Sequence, residues 1–272
     1  MDLGLKGKIV VVTGAASGIG ATIAGAFYDE GAITILTDIN SVSLKEITKG
    51  FEKHAVGKVC DISDKVSVNK LFNEIKEEFG AIHVLVNNAA VNTADYIEQI
   101  KEEDIDRVFK INMLGYVHTT MAALPLMKKT GYGRLIYINS GSGLKASAGL
   151  PLYSSAKYFN RGFAISAALE AGKYNITSNS ICPSDVYPEE DAGSGRDFSA
   201  KSWTNESLLR ISMEKEGVDT LKELIKKRSN SNPMKRSCKK EDVASLALFL
   251  ASDKAGFING QSIGLNGGSL PY

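Results

Sequence analysis

The amino-acid sequence predicts an α/β fold, a doubly wound, seven-stranded parallel sheet with helices on both faces, built by residues 1–272 as a single domain. Two observations predict it. Short β-branched runs alternate with longer stretches of helical periodicity, which is the pattern of successive β-α-β units. The first of those runs also passes straight through a glycine-rich turn into a helix, the arrangement that opens the ligand crevice of such sheets. Composition allows the fold: 43% apolar and 23% charged residues are ordinary for a globular chain, and a chain this long buries a core without needing disulfides or a metal.

Each element follows from its local pattern. Ile9 to Thr13 is a β-branched run and so a strand, and Gly18 to Asp29 carries a helical period after it. Thr34 to Thr37 is the second strand, ending at Asp38; Ser41 to Phe51 is helical, with Ser41 or Ser43 available as its cap. Lys58 to Cys60 is a short third strand, followed by a helix over Lys65 to Phe79. His83 to Val86 is the fourth, entering Asn87-Asn88-Ala89-Ala90. One long helix is expected over Glu103 to Lys129, with Pro125 bending or interrupting its end. Arg134 to Asn139 is the fifth strand, Leu152 to Lys173 a helix and Thr177 to Ile181 the sixth strand. From Ser184 to Pro233 the pattern weakens to an amphipathic piece at Thr220 to Lys227. A weakly patterned stretch of roughly fifty residues reads as an inserted substrate loop, since long loops in compact domains are most often functional. A helix at Glu241 to Leu250 and a last strand at Ser262 to Leu265 complete the series.

Charge and special residues exclude several classes. Formal charge is +1, from 32 basic and 31 acidic residues, which gives no electrostatic reason to bind nucleic acid or an anionic membrane. No stretch reaches the ~18 consecutive apolar residues of a bilayer span, and the first residues lack the regions of a signal peptide. Cys60, Cys182 and Cys238 lie far apart and read as free thiols of a reducing compartment. His54, His83 and His118 show no metal-ligand spacing, so no catalytic metal is expected. A cytoplasmic protein is the reading these features support.

The turn after the first strand is Gly14-Ala15-Ala16-Ser17-Gly18-Ile19-Gly20. Gly14 permits the sharp turn, Gly18 lets the backbone approach a diphosphate, and Gly20 lets helix and strand pack closely. Amides at the helix N-terminus then favour the anion. A glycine trio can be only a tight turn, but here it follows an apolar strand and opens a helix, the context of a Rossmann-type dinucleotide site. Asp38 ends the next strand, 18 residues after Gly20. Its carboxylate can accept both ribose hydroxyls of an adenosine and would repel a 2′-phosphate, or it caps the following turn. No Arg or Lys lies among Ala15, Ala16, Ser17, Ile39 and Asn40, so NAD is expected over NADP. Asp61 can hold the adenine amino group, with Ile62 beside it.

Tyr153-Ser154-Ser155-Ala156-Lys157 puts a phenol and an ammonium four residues apart on one helical face. A free phenol titrates near ~10, too high for a base at neutral pH; a neighbouring ammonium favours the phenolate and is expected to lower that value. Ser140, thirteen residues earlier at a strand end, can bind the substrate oxygen. Alone, Tyr and Lys at this spacing are an ordinary surface pair and Ser140 a strand-end cap. Order and spacing together point to acid/base chemistry at a carbinol or ketone carbon.

The chain resembles the short-chain dehydrogenase/reductase family over nearly its full length. The matching elements are Thr13-Gly14-x-x-x-Gly18-x-Gly20, Asp61, Asn87-Asn88-Ala89, Asn112, Ser140, Tyr153-x-x-x-Lys157 and Pro183. The resemblance implies an oxidoreductase moving hydride between NAD and a secondary alcohol or ketone, with Asn112 joining Ser140, Tyr153 and Lys157 in a water-linked proton relay. It implies that Asn88 and Ala89 line the cofactor cleft, with Ile138 and Pro183 toward the nicotinamide. Ala90 replaces a usual Gly, Ser184 another, and Pro188 the Thr that holds the carboxamide; the backbone of Val186 can take that place. The family also implies a homotetramer joined through the helices after the fourth and fifth strands. Met113, Val117, Met121, Phe159, Phe163 and Ala167 suit such faces, and suit simple core burial equally.

Fold and motif say little about substrate. Val91 to Tyr96, Gly141 to Leu152 and Ser184 to Asn232 are expected to set it. Trp203, Met234-Lys235-Arg236 and Gly260-Gln261-Ser262-Ile263 resemble the sugar-alcohol and sorbitol-6-phosphate dehydrogenase branch. Asp185, Glu189, Glu190 and Asp191 would repel a phosphate unless Lys145, Arg196 and Lys201 answer them, so a neutral polyol or sugar derivative is expected. The alternatives are a hydroxysteroid or other hydrophobic alcohol, and a non-catalytic NAD-binding sensor.

Overall fold

The computed structural model describes residues 2–51, 54–187 and 206–270. Its strands are β1 (Ile9–Thr13), β2 (Ile33–Asp38), β3 (Ala55–Val59), β4 (Val84–Asn87), β5 (Gly133–Ile138), β6 (Ile176–Pro183) and β7 (Ser262–Leu265). All pair in parallel, in the order β3-β2-β1-β4-β5-β6-β7. β1, β4, β5 and β6 are buried at every position, as strands covered on both faces must be, which is why they read as continuous apolar runs. Strand order reverses between β1 and β4, and the connections leave the carboxyl ends in opposite directions there, opening a crevice.

Helices cover both faces. On one side α1 (Gly18–Asp29), α2 (Ser41–Thr48) and α9 (Lys240–Ala251) bury Ile23, Phe27, Leu44, Val243 and Leu250 against the sheet. On the other, α3 (Lys65–Phe79), α5 (Gly115–Thr130) and α6 (Pro151–Ala171) bury Leu71, Ile75, Tyr116, Met127 and Ala164. A third cluster, with Tyr187, Leu208, Ile211 and Leu224, joins α7 (Glu206–Glu216) and α8 (Leu221–Ser231) to Ala94. α7 lies in the stretch where sequence periodicity weakens, and α8 extends the amphipathic piece expected there.

Three expectations need correction. The helix expected over Glu103 to Lys129 is instead α4 (Glu102–Val108), a π-helical turn at Phe109–Leu114, and α5. A π turn inserts a residue without disturbing the apolar period enough to be read, and such turns gather at functional sites; this one carries Asn112. Pro125 sits inside α5 without ending it. An interior proline costs about 3 kcal/mol, and burial of Leu126 and Met127, at about 1.5–3 kcal/mol each, offsets that. β3 lies earlier than Lys58 to Cys60 because its register against Thr34–Asp38 of β2 starts at Ala55.

Candidate active site

A cleft of about 560 Å³ opens at the carboxyl ends of the central strands. Gly14, Ser17, Gly18, Ile19, Gly20, Asp38, Asp61, Ile62, Asn88, Ala89, Tyr153, Lys157 and Val186 all line it. Pro183, the remaining residue assigned to the cofactor from sequence, lines the adjoining cavity instead. Gly14 holds a left-handed φ of 64°, and a Cβ there would lie 2.7 Å from Ala89 Cα. A Cβ on Gly20 would lie 2.2 Å from the Gly14 carbonyl and 2.4 Å from Asn88 Nδ2. Asn88 secures the turn by donating from Nδ2 to the carbonyls of Thr13 and Gly14, at 2.9 and 3.1 Å. The Thr13 hydroxyl accepts the amides of Asn88 and Ala89. Ser17 caps α1 with no side-chain bond and no acid follows in the first turn, so the amide end of α1 faces the cleft without a carboxylate on it.

Asp38 caps the turn and also lines the cleft. One carboxylate oxygen accepts the Ala16 amide at 3.1 Å and the other that of Asn40 at 2.9 Å, while the residue lines the cleft. Asp61 accepts the amide and hydroxyl of Ser63 at 2.9 and 2.7 Å. These residues fit a nicotinamide dinucleotide: a turn in which any Cβ would collide, open helix amides for a diphosphate, and a carboxylate at the end of β2 for a ribose.

Tyr153 and Lys157 share a face of α6, and Tyr153 borders both cavities. Lys157 is fully buried and donates from Nζ to the Ile138 carbonyl at 2.8 Å, 5.5 Å from the centre of the Tyr153 ring. The same carbonyl accepts the Tyr116 hydroxyl at 3.3 Å. Burial pulls the Lys157 ammonium down to about 8, with Cys182 opposing the fall. Burial also pushes the Tyr153 phenol up to about 12, against the pull of Ser140's hydroxyl, and Asp185 adds to the rise. The lowering of Tyr153 expected from its neighbour is therefore not realised in this state, because desolvation of the phenol dominates. Ser140 borders the second cavity and its Oγ accepts the Ser142 amide at 3.1 Å. Asn112 is fully buried and is not among the residues that line the cleft. Its Oδ1 accepts the Val91 amide and its Nδ2 donates to the Val91 carbonyl, both at 2.8 Å, which fixes the strand end after β4.

The second cavity, about 440 Å³, adjoins the first at Tyr153. Asn92, Ser142, Ser147, Ser184, Ser212 and Asn266 give it a wall rich in hydroxyls and amides. Asp185 is held by Arg228, whose Nη1 lies 2.9 Å from Oδ2, and Arg228 Nε also lies 3.1 Å from Glu216 Oε1. Of the four acids expected to repel an anion, Asp185 is thus already paired. Pro188, Glu189, Glu190, Asp191, Arg196, Lys201 and Trp203 lie outside the described residues.

The description "short chain dehydrogenase" matches residues 8–196, and "Enoyl-(Acyl carrier protein) reductase" matches residues 207–269. The chain belongs to the short-chain dehydrogenase family. It is 31% identical to a D-beta-hydroxybutyrate dehydrogenase of Rhizobium meliloti, over 96% of this chain and 98% of that one. It is 31% identical to a meso-2,3-butanediol dehydrogenase of Serratia marcescens, over 96% and 94%. The aldohexose dehydrogenase of Thermoplasma acidophilum has the same fold, with a TM-score of 0.81 and 26% identity over 99% of this chain and 96% of that one. The protein is accordingly an oxidoreductase of a family that acts on CH–OH groups with NAD(P).

Four residues that line these cavities were given no role of their own from sequence, although Lys215 and Arg228 lie within the Ser184 to Asn232 stretch expected to set substrate. Arg107 and Ile111, one turn apart, line the cofactor cleft, and Lys215 and Arg228 line the second cavity. Arg228 stands just past the amphipathic piece at Thr220 to Lys227, and no spacing rule links it to Asp185 across 43 positions. Among the described residues no helix is long and apolar enough to cross a membrane.

Proposed function

We propose that this dehydrogenase oxidises a secondary alcohol on a polyol or sugar derivative, or reduces the matching ketone, with NAD. The carrying observation is that the Tyr153 phenol borders both the dinucleotide cleft and the second cavity, with Lys157 one turn behind it. In oxidation Tyr153 takes the proton of the substrate hydroxyl as hydride leaves the carbon; in reduction it returns that proton to the forming alkoxide. Ser140 donates a hydrogen bond to the same oxygen and stabilises its charge. Lys157 stabilises the phenolate electrostatically, and its bond to Ile138 sets its position. When bound, the nicotinamide ring supplies or accepts the hydride. Asn112 acts through the Val91 backbone it holds.

Asp38 supports NAD over NADP, because a second anion at the end of β2 would meet a carboxylate with no cation beside it in Ala15–Ser17 or Ile39–Asn40. The serine and asparagine groups on the wall of the second cavity support a hydroxylated substrate that pairs with them, with Leu150, Leu208, Ile211 and Leu270 against its carbon chain. The names of the butanediol and aldohexose relatives point the same way. The buried free thiols Cys60, Cys182 and Cys238 suit a reducing, cytoplasmic setting, and exposed apolar side chains on α5 and α6 suit a homotetramer. Steady-state assays with NAD against polyols, sugars and hydroxysteroids test the reading: activity on steroids with none on polyols would reject the substrate class. Tyr153→Phe is expected to lower kcat by about 10³-fold or more with NAD affinity little changed; retained turnover would reject the role given to Tyr153.

A further inference from the structure

We propose that the second cavity takes a substrate carrying an acidic group, a carboxylate or phosphate ester, held by the ammonium groups of Lys145 and Lys215. The inference deepens the substrate reading above and rests on Tyr153 being the reacting phenol.

Among the described residues, the charged side chains on this wall are Lys145, Lys215, Arg228 and Asp185. The single carboxylate is consumed by Arg228 at 2.9 Å, and Glu216 behind it is engaged by Arg228 at 3.1 Å and by Lys227 at 4.0 Å. Lys145 and Lys215 form no ion pair with a described carboxylate. Lys215 instead donates to the Ala148 carbonyl, which carries its ammonium from α7 across to the loop after β5, where Lys145 also sits. Burial, and then the charge of Arg228, hold the Lys215 ammonium below its ordinary range, with Glu216 opposing. Two exposed cations therefore line this wall with no ion-pair partner among the described residues, while the third, Arg228, is already engaged by Asp185 and Glu216. An anion there would pair with charge that no described carboxylate neutralises and would gain hydrogen bonds from the ammonium groups. Ser140 and Tyr153 border the same cavity, so a molecule seated on the lysines presents its carbinol carbon to the phenol.

Three probes of one carbon skeleton test this: glucitol, gluconate and glucitol 6-phosphate, with 3-hydroxybutyrate as a short acid lacking the polyol chain. Binding of each to the NADH-loaded protein is measured by calorimetry, and turnover where it occurs. We expect at least one acid to bind about tenfold or more tighter than glucitol, with the preference falling as salt rises. Lys145→Met and Lys215→Met are expected to lose about tenfold more on that acid than on glucitol, and Lys145→Arg and Lys215→Arg to retain the preference. The gluconate and glucitol 6-phosphate arms separate a carboxylate from a phosphate. Glucitol binding as tightly as every acid, or equal losses on acid and glucitol in the methionine variants, would overturn the proposal. Lysine-dependent binding of 3-hydroxybutyrate with all three glucitol probes silent would keep the anion site and reject the polyol reading.

Discussion

Tyr153 and Lys157 lie one helical turn apart, and burial moves their protons in opposite directions, the phenol up to about 12 and the ammonium down to about 8. Groups this close titrate as a unit, and the first proton leaves the pair near the lower value. Oxidation must place a proton on the pair and reduction must take one from it. The oxidative kcat/KM is therefore expected to rise with pH through about 8, and the reductive one to fall across the same range. Lys157→Met removes the group that titrates first, so its oxidative limb should move up toward the Tyr153 value of about 12. Matched pH profiles check this, and an unmoved limb would refute it. Asp38 gives a second residue-scale expectation. Asp38→Ala removes the carboxylate that excludes a 2′-phosphate and should raise the NADP-to-NAD ratio of kcat/KM by about 100-fold, roughly 2.7 kcal/mol of discrimination. The same change deletes the bond to the Ala16 amide and should lower stability by about 1 kcal/mol. An unchanged cofactor ratio would remove Asp38 as the discriminating group.

Among the elements, the close approach of β1, α1 and the strand end after β4 tolerates no side chain at Gly20. A Cβ there meets a backbone carbonyl at 2.2 Å and an amide that is itself holding the turn, so the conflict is resolved only by moving the backbone. At Gly115 the obstacle is the Ile62 side chain, 2.6 Å away at Cδ1 and 2.8 Å at Cγ1, which can shift more readily than backbone, and alanine gains about 1 kcal/mol of helix propensity. Gly20→Ala is expected to cost about 3 kcal/mol and to abolish NADH binding, whereas Gly115→Ala should stay within about 1 kcal/mol of the parent. Thermal unfolding and NADH titration of the two variants check the contrast, and equal losses would refute it. Elements of this kind were legible because their signals are local. The β-branched runs, the glycine turn and the Tyr–Lys spacing each lie within one short window, so the seven strands, with β3 displaced, and most of the residues that line the cleft follow from them. The π turn at Phe109–Leu114 was not legible, since apolar periodicity passes through it almost unbroken. α7 was not legible either, because its buried residues Leu208 and Ile211 face a small cluster outside the main core.

At the scale of the whole molecule, what the sequence could not tell is which distant side chains meet. Arg228 and Asp185 pair across 43 positions, and that pairing changes the charge of the substrate cavity. The same limit applies to the faces of α5 and α6, where one apolar pattern serves both core and interface. The structure separates them in part. Ala167 is buried in the core, and Phe163 packs there between Tyr137 and Phe159. Met121 is 54% exposed and Leu169, which sequence reasoning did not single out, 82%. Phe159 also reaches the surface and stacks on Phe163 with its ring centre 6.1 Å away. Large apolar side chains left in water on two helices of the same face of the sheet are what a copy of the chain would cover. The proposed assembly therefore predicts that the protein sediments at a multiple of 29.2 kDa, and that Met121→Asp combined with Leu169→Asp shifts it toward the single-chain mass. Because association binds only the folded form, the parent's Tm should rise with protein concentration and that of the double variant should not. A parent that sediments as a single chain would show that these side chains are tolerated in solvent and would remove the tetramer from the account, leaving the chemistry at Tyr153 untouched.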